Sequence, residues 1–257
     1  MKKILSLLLI VLLVLTLAAC GGGNREAGNE TEGESNAPPA GEGPKEGEPT
    51  YKEKMVPYDQ LEPSERIVFL QNALNFSREG FYTAETKPQT QAVSYQSDSV
   101  EAYSMDYVLA FLSRGVEGEV TVTKSDGSTV TLAAEELAGM YVILDFTSGE
   151  APVLYNPASG TEVTDFFFAV TATGEAIYSV VSDSVHNAAE ILNAVGWNEN
   201  ATYRYVATDK FYIPVGPQER ANGEIRGTLS GAINGSFPDL AIAGGKINDV
   251  LFIELME

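Results

Sequence analysis

The single cysteine, Cys20, lies where the composition of the chain changes abruptly. It follows Leu17-Ala18-Ala19 and closes an apolar run that opens after Lys2 and Lys3. A lone thiol cannot form an internal disulfide or a cysteine-based zinc site. A basic start, a short apolar stretch and small residues before a cleavage point are the parts of a secretory signal. The run is too short to favour a spanning helix, which needs about 20 apolar residues. The sequence therefore predicts an export signal over residues 1–20.

Leu17-Ala18-Ala19-Cys20 resembles the lipobox of bacterial lipoproteins. The resemblance implies cleavage before Cys20 and diacylation of its thiol, so that Cys20 becomes the first residue of the mature protein. A diacylglyceryl group with an added N-acyl chain would meet the requirement of two lipid signals for stable anchoring. The expected location is the cell membrane, facing outside the cytoplasm. The alternative is a reduced thiol beside an uncleaved membrane helix.

Residues 21–50 contain no aromatic residue and no Val, Ile, Leu or Met. Seven glutamates stand against Arg25 and Lys45, which gives the segment a net charge of −5. Such a segment cannot bury enough apolar surface to offset the entropy of ordering it, and its like charges extend it. We expect a disordered acidic linker that holds a domain away from the bilayer. A recognition tail is the alternative.

His186 is the only histidine, so the composition excludes a histidine-rich metal site. The local run Asp183-Ser184-Val185-His186 contains the residue types of a catalytic triad. All four would belong to the first turn of one predicted helix, which does not present them in triad geometry. We interpret His186 as a surface helical residue, with a general base or a lone ligand as the alternative.

Acidic residues suggest two further candidates. Asp126 could offer an oxygen to calcium, but no spaced series of carboxylates follows, so a hairpin turn is the preferred interpretation. Glu135 and Glu136 are adjacent on a predicted helix and point in different directions, which suits solvent rather than paired acid and base chemistry.

No Lys or Arg occurs between Ser125 and Tyr203, and the basic residues that follow Tyr203 form a concentration of positive charge near the C-terminus. These bases, with neighbouring polar and aromatic residues, could line a site for an acidic or sugar-like ligand. Ion pairing with Asp209, Glu219, Glu224 and Asp249 is the preferred alternative. The candidate ligand-binding residues are Arg204, Asp209, Lys210, Tyr212, Arg220, Arg226 and Lys246.

The sequence patterns predict that these residues belong to one α+β domain over residues 51–257. The domain should consist mostly of strands with three or four peripheral helices, and its core should begin at about residue 115. Ile67, Leu70 and Leu74 have helical spacing, and Asp126-Gly127 has the chemistry of a hairpin turn. Tyr103 and Tyr107 are expected to pack inside. Helices are predicted at 64–78, 98–113, 133–138 and 183–195, and a polar loop at 216–223. Strands are predicted at 119–123, 128–132, 140–146, 151–155, 164–171, 176–181, 202–207, 211–215, 224–229 and 249–255.

The order of elements from Glu119 to Leu255 resembles the molybdopterin-binding domain of sulfite-oxidase-type oxidoreductases. The similar segments are the Asp126-Gly127 hairpin, the helix ending Leu192-Asn193-Ala194-Val195-Gly196, the turn Thr208-Asp209-Lys210-Phe211-Tyr212 and the closing strand Lys246-Ile247-Asn248-Asp249-Val250-Leu251-Phe252-Ile253. The resemblance implies a pterin cofactor whose metal is held by a cysteine thiolate. The segment contains no cysteine, so we expect the cofactor to have been lost.

The domain carries 29 acidic and 12 basic residues, a net charge of −17 that disfavours nucleic acid as a partner. We interpret the chain as a surface lipoprotein whose domain is a non-catalytic module for an unknown extracellular ligand or surface protein, without a cofactor. The alternatives are an oxidoreductase or redox accessory that keeps a molybdopterin, and a structural envelope protein.

Overall fold

The computed structural model describes residues 56–57, 64–74, 81, 87–145, 150–180, 185–221, 223–226, 239–242 and 245–256. All of them belong to one structural unit, Gly41–Glu257. The predicted signal at 1–20 and the predicted linker at 21–50 lie outside the described residues. Within the described ranges, no helix has the length and apolar character needed to cross a membrane.

Strands dominate the described residues, and the helices are short. The strands are β1 (Val56–Pro57), β2 (Arg66–Phe69), β3 (Thr90–Tyr95), β4 (Asp98–Ser104), β5 (Glu119–Lys124), β6 (Thr129–Ala133), β7 (Tyr141–Ile143), β8 (Val153–Tyr155), β9 (Glu162–Val163), β10 (Phe166–Thr171), β11 (Ala176–Tyr178), β12 (Val185–Asn187), β13 (Tyr203–Ala207), β14 (Phe211–Val215), β15 (Glu224–Arg226), β16 (Asp239–Ile242), β17 (Gly245–Ile247) and β18 (Val250–Leu255). The helices are α1 (Leu70–Leu74), α2 (Asp106–Leu109), α3 (Ala134–Ala138), α4 (Ala188–Ala194) and α5 (Pro217–Ala221).

The largest sheet has nine strands in the order β1-β14-β13-β18-β2-β11-β10-β5-β6. Its pairs are antiparallel except for β2 with β11, which are parallel. The central strands are buried on both faces: Val68 and Phe252 are cross-strand partners on one face, and Ile67 and Ile253 are partners on the other. Strands buried on both faces are nearly continuous in apolar sequence, which is what β2 and β18 show.

Different elements cover the two faces of this sheet. A five-stranded sheet, ordered β3-β4-β7-β8-β9, contributes Val142 and Leu154 to the apolar cluster on one face. Helix α4 contributes Ile191 and Leu192 to the cluster on the other face. Burying each such side chain contributes about 1.5–3 kcal/mol, so the clusters hold the layers together. A separate four-stranded sheet has the order β12-β15-β16-β17.

The α+β class and most strands predicted after residue 115 are confirmed. Strands β5 and β6 form the hairpin through the Asp126-Gly127 turn, with Val122 opposite Val130. Helix α3 is present with the bounds Ala134–Ala138, and Ala133, which precedes it, makes no side-chain cap hydrogen bond. Tyr103 and Tyr107 pack against the core as expected.

The helix predicted at 64–78 is wrong over its first part, because Arg66–Phe69 is strand β2 at the centre of the large sheet. Only Leu70–Leu74 is helical, and residues 75–78 lie outside the described part. Ile67-Val68-Phe69-Leu70 is a continuous apolar run, and such a run fits a doubly buried strand as well as a helix. Tertiary burial selects the strand.

The helix predicted at 98–113 is also wrong, because Asp98–Ser104 is strand β4 and only Asp106–Leu109 is helical. Strand β4 forms a hairpin with β3, and Tyr95 and Asp98 flank its turn. Both turn residues have positive φ, 49° at Gln96 and 74° at Ser97. A two-residue turn of this kind normally contains Asn or Gly, so the sequence lacks the usual hairpin signal.

The helix predicted at 183–195 begins later than expected. Val185–Asn187 is a strand, and the helix runs over Ala188–Ala194. Asn187 caps it, since its side-chain oxygen accepts hydrogen bonds from the backbone amides of Ala189 and Glu190. The polar loop predicted at 216–223 contains a short helix, Pro217–Ala221.

Candidate binding face

The seven predicted ligand-binding residues belong to two different sheets and their connections. Arg226 and Lys246 lie in strands β15 and β17 of the four-stranded sheet. Arg204 and Tyr212 lie in the neighbouring strands β13 and β14 of the nine-stranded sheet. Asp209 and Lys210 form the turn between those two strands, and Arg220 lies in α5, which follows β14.

Arg204 forms an ion pair inside the domain. Its Nε lies 2.7 Å from Oε2 of Glu254, and Nε of Arg66 lies 2.5 Å from Oε1 of the same carboxylate. Arg66 and Arg204 are the cross-strand partners of Glu254 on its two neighbouring strands. Glu254 is fully buried, so the two guanidinium groups compensate a carboxylate that burial would otherwise make costly. Glu254 is not among the four acidic partners considered from the sequence.

Arg220 is buried and bonded to main-chain carbonyl groups. Its guanidinium donates hydrogen bonds to the carbonyl oxygens of Val215, at 3.0 Å, and Ala201, at 2.7 Å, and also to that of Glu199. The guanidinium carbon lies 4.9 Å from the ring centroid of Tyr203. These contacts join α5 to the segment before β13.

The turn residues remain at the surface. Asp209 Oδ1 accepts a hydrogen bond from the amide of Phe211 at 3.3 Å, and Lys210 Nζ lies 5.5 Å from the ring centroid of Phe81. Asp209, Lys210 and Tyr212 are each partly exposed. A ligand at this turn stays a prediction.

His186 lies in strand β12, so its predicted position on a helix is wrong. The side chain is half-buried, and its Nδ1 lies 3.5 Å from Oη of Tyr178. Burial lowers the pKa of the imidazole, because desolvation disfavours its charged form. Its surroundings are aromatic, with the Phe167 ring centroid at 5.9 Å.

Asp126 occupies a hairpin turn, as the preferred interpretation held. Its Oδ1 accepts hydrogen bonds from the amide and hydroxyl of Ser128, at 2.9 and 2.6 Å, and these bonds lower the pKa of the carboxyl group. In helix α3, Glu136 accepts a hydrogen bond of 2.5 Å from the Ser159 hydroxyl, which lowers its pKa. Over the described ranges, no group of three or more His, Cys, Asp or Glu side chains could hold a metal ion.

A different set of residues forms a concave surface that the sequence analysis missed. Directly opposite residues in antiparallel strands point to the same face. In the five-stranded sheet, Tyr95 is opposite Asp98, Tyr141 is opposite both Ser104 and Tyr155, and Tyr155 is opposite Glu162. We call this surface the tyrosine face. Its members are Gln91, Val93, Tyr95, Asp98, Val100, Ala102, Ser104, Tyr141, Ile143, Val153, Tyr155 and Glu162.

One hydrogen bond between the two edge strands shows that the five-stranded sheet is curved. Strands β3 and β9 are the two edges of the sheet, four strand spacings apart, which in a flat sheet is roughly 19 Å. Oη of Tyr95 in β3 nevertheless donates a hydrogen bond of 2.5 Å to Oε1 of Glu162 in β9. The ring centroids of Tyr95 and Tyr155 are 5.1 Å apart across three spacings. The sheet therefore curls, with the tyrosine face on its concave side.

The tyrosine face combines partly accessible aromatic rings with buried apolar residues. Tyr95, Tyr141 and Tyr155 are all half-buried, so each ring keeps part of its surface accessible. Val93 and Ala102 are buried and form the floor between them. The bond to Glu162 raises the pKa of Tyr95 to about 12, because an anionic acceptor favours the protonated phenol. The arrangement suits binding by rings and hydrogen bonds.

Sequence reasoning missed this face because it assigned β4 to a helix. With residues 98–104 in a helix, strand β3 has no partner strand and Tyr95 does not belong to the sheet that contains Tyr155. The available signal was the alternation of apolar and polar residues at Val93-Ser94-Tyr95 and again at Val100-Glu101-Ala102, which is typical of a strand with one face covered.

Comparisons with protein families, with curated proteins and with solved structures find no match to this chain. The molybdopterin resemblance can be tested on the residues themselves. The segment Glu119–Leu255 contains no cysteine to supply the thiolate. The resemblance also implies basic groups for the phosphate of the pterin, but Arg204 and Arg220, two of the few bases in the segment, are buried among internal partners. These residues do not fit the cofactor.

Proposed function

We propose that this chain is a membrane-anchored extracytoplasmic lipoprotein, whose α+β domain is a non-catalytic binding module using the tyrosine face. Two independent features support the proposal. Leu17-Ala18-Ala19-Cys20 has the pattern of a lipid attachment site, and the acidic residues 21–50 have the composition of a spacer. The observation that carries the binding function is the concave tyrosine face, where half-buried rings and a carboxylate converge.

Catalysis has weaker support from the same residues. His186 lies beside the aromatic rings of Phe167 and Tyr178, and its Nδ1 is 3.5 Å from the Tyr178 hydroxyl. Burial raises the pKa of that hydroxyl, which therefore stays protonated and is a poor nucleophile. The sulfite-oxidase-like fold stays a hypothesis about ancestry, and fold alone names no function.

Lipid attachment is tested by metabolic labelling of bacteria that express the full chain. An alkyne-bearing palmitate should label the wild-type protein and leave Cys20→Ser unlabelled. The labelled chain should remain with the membrane after a high-salt wash, and external protease should digest its domain. An unlabelled wild-type chain would refute the anchor.

Binding is tested with a photo-cross-linking amino acid in the same full chain. The residue replaces Tyr155 on the tyrosine face or, as the matched control, Glu101, which is exposed on the opposite face of β4. We expect light-dependent adducts of defined mass at position 155 and none at position 101. Equal adduct formation at both positions, or none at 155, would contradict use of this face.

A further inference from the structure

We infer that the tyrosine face binds a basic, lysine- or arginine-bearing segment of a partner protein. The inference rests on the proposed function, since it names the partner chemistry of the same face. Its basis is the combination of accessible rings, carboxylates and the absence of any base on the sheet.

The charges of the five-stranded sheet have one sign. Its strands contain Asp98, Glu101 and Glu162 and no Lys or Arg. Asp98 and Glu162 both belong to the tyrosine face and are exposed. The net charge of −17 over residues 51–257 has the same sign, so long-range attraction and local contacts favour the same kind of partner.

The tyrosine rings suit the partner's charged groups. A cation held within about 6 Å of a ring centroid is attracted by the negative face of the ring. Glu162 uses Oε1 for the Tyr95 phenol, and its other oxygen, Oε2, can accept a hydrogen bond from an ammonium or guanidinium group. Tyr95 is thereby fixed beside the carboxylate, so the ring and the charge are pre-arranged together.

A peptide suits the face better than a small cation because the same face also carries apolar residues. Val100, Ile143 and Val153 of the same face are half-buried. The methylene stems of Lys and Arg pack along such surface while their heads reach polar groups. A segment with several bases would use the rings, the carboxylates and this apolar strip at once.

The test measures binding of a fluorescein-labelled peptide of alternating Lys and Gly to the full chain in mild detergent, by fluorescence anisotropy. The same peptide with acetylated lysines keeps its length and loses its charges. We expect acetylation to abolish measurable binding, and we expect added salt to weaken the unmodified peptide. Glu162→Gln and Tyr155→Leu should each weaken binding about fivefold, whereas Glu101→Gln should change it less than about twofold.

Tyr155→Leu keeps apolar volume, and its far-ultraviolet circular dichroism shows whether the fold is intact. Tyr155→Phe keeps the ring and removes the hydroxyl, and it should retain binding. A structural role of the hydroxyl would instead predict a loss of binding in this variant. Equal binding of both peptides, or no binding of the lysine peptide, would overturn the inference. Binding of chitotetraose that depends on Tyr155, without peptide binding, would also overturn it, but would leave the binding-module proposal standing.

Discussion

Tyr95 and Glu162 lie on opposite edges of the five-stranded sheet, yet the Tyr95 phenol donates a hydrogen bond of 2.5 Å to the Glu162 carboxylate. This bond closes the sheet over its concave side and places a charged group beside a ring. It has consequences for titration as well as for binding.

The ionisation of Tyr95 should depend on Glu162. The pKa of Tyr95 is raised to about 12, first by the hydrogen bond to Glu162. In Glu162→Gln the acceptor is neutral, so Tyr95 should ionise closer to its ordinary value of 10.0. Ultraviolet titration of phenolate absorbance should show one additional tyrosine ionising between pH 10 and 12 in this variant, and none in Glu101→Gln.

The same shift has a defined effect on stability. The pKa of Tyr95 is higher in the folded state than in the unfolded state, so its contribution is complete below about pH 10 and is lost as pH rises toward about 12. Urea unfolding over this range should show a smaller loss of stability for Tyr95→Phe than for the wild type. Parallel curves for the two proteins would contradict this assignment.

Removal of the shared carboxylate should destabilise the domain strongly. Glu254→Ala removes the buried carboxylate that Arg66 and Arg204 share, which we expect to lower the free energy of unfolding by about 3–5 kcal/mol. The control is Arg114→Ala, which breaks a pair with Glu65 whose arginine side chain is 53% exposed and should cost less than about 1 kcal/mol. Denaturant unfolding measures both. Similar losses of unfolding free energy in the two variants would show that the buried ion pairs of Glu254 stabilise the domain no more than the exposed pair does.

The β3–β4 turn should be improved by glycine. Ser97 has a φ of 74°, where side chains with a Cβ are strained. Ser97→Gly should raise the free energy of unfolding by about 0.5–1 kcal/mol, while Ser99→Gly in strand β4 should lower it by a similar amount. An unchanged or lowered stability of Ser97→Gly would argue against the turn conformation.

The purified full chain should contain molybdenum and tungsten at far less than one atom per chain. The physical reason is the absence of a cysteine thiolate from Glu119 to Leu255. Elemental analysis together with intact mass is the measurement. A stoichiometric metal or a pterin mass would revive the oxidoreductase alternative.

Local chemistry determined much of the fold from the sequence. Asp126-Gly127 predicts its hairpin because only a few residue types accept the turn's backbone angles, and the Ala134–Ala138 helix follows from its composition. The same reasoning placed β13, β14 and β18. In each of these cases, the signal lies within the segment that adopts the structure.

Tertiary structure decided what local signals left ambiguous. The run at Ile67 to Leu70 fits a helix or a buried strand, and its position between β18 and β11 selects the strand. Burial gives Arg204 and Arg220 internal partners that their sequence neighbours do not reveal. Tyr95 and Glu162 are separated by 67 positions, so no local pattern predicts that they meet. Only the curling of the five-stranded sheet brings them together, because a ring on one edge reaches a carboxylate on the other when the face between them is concave.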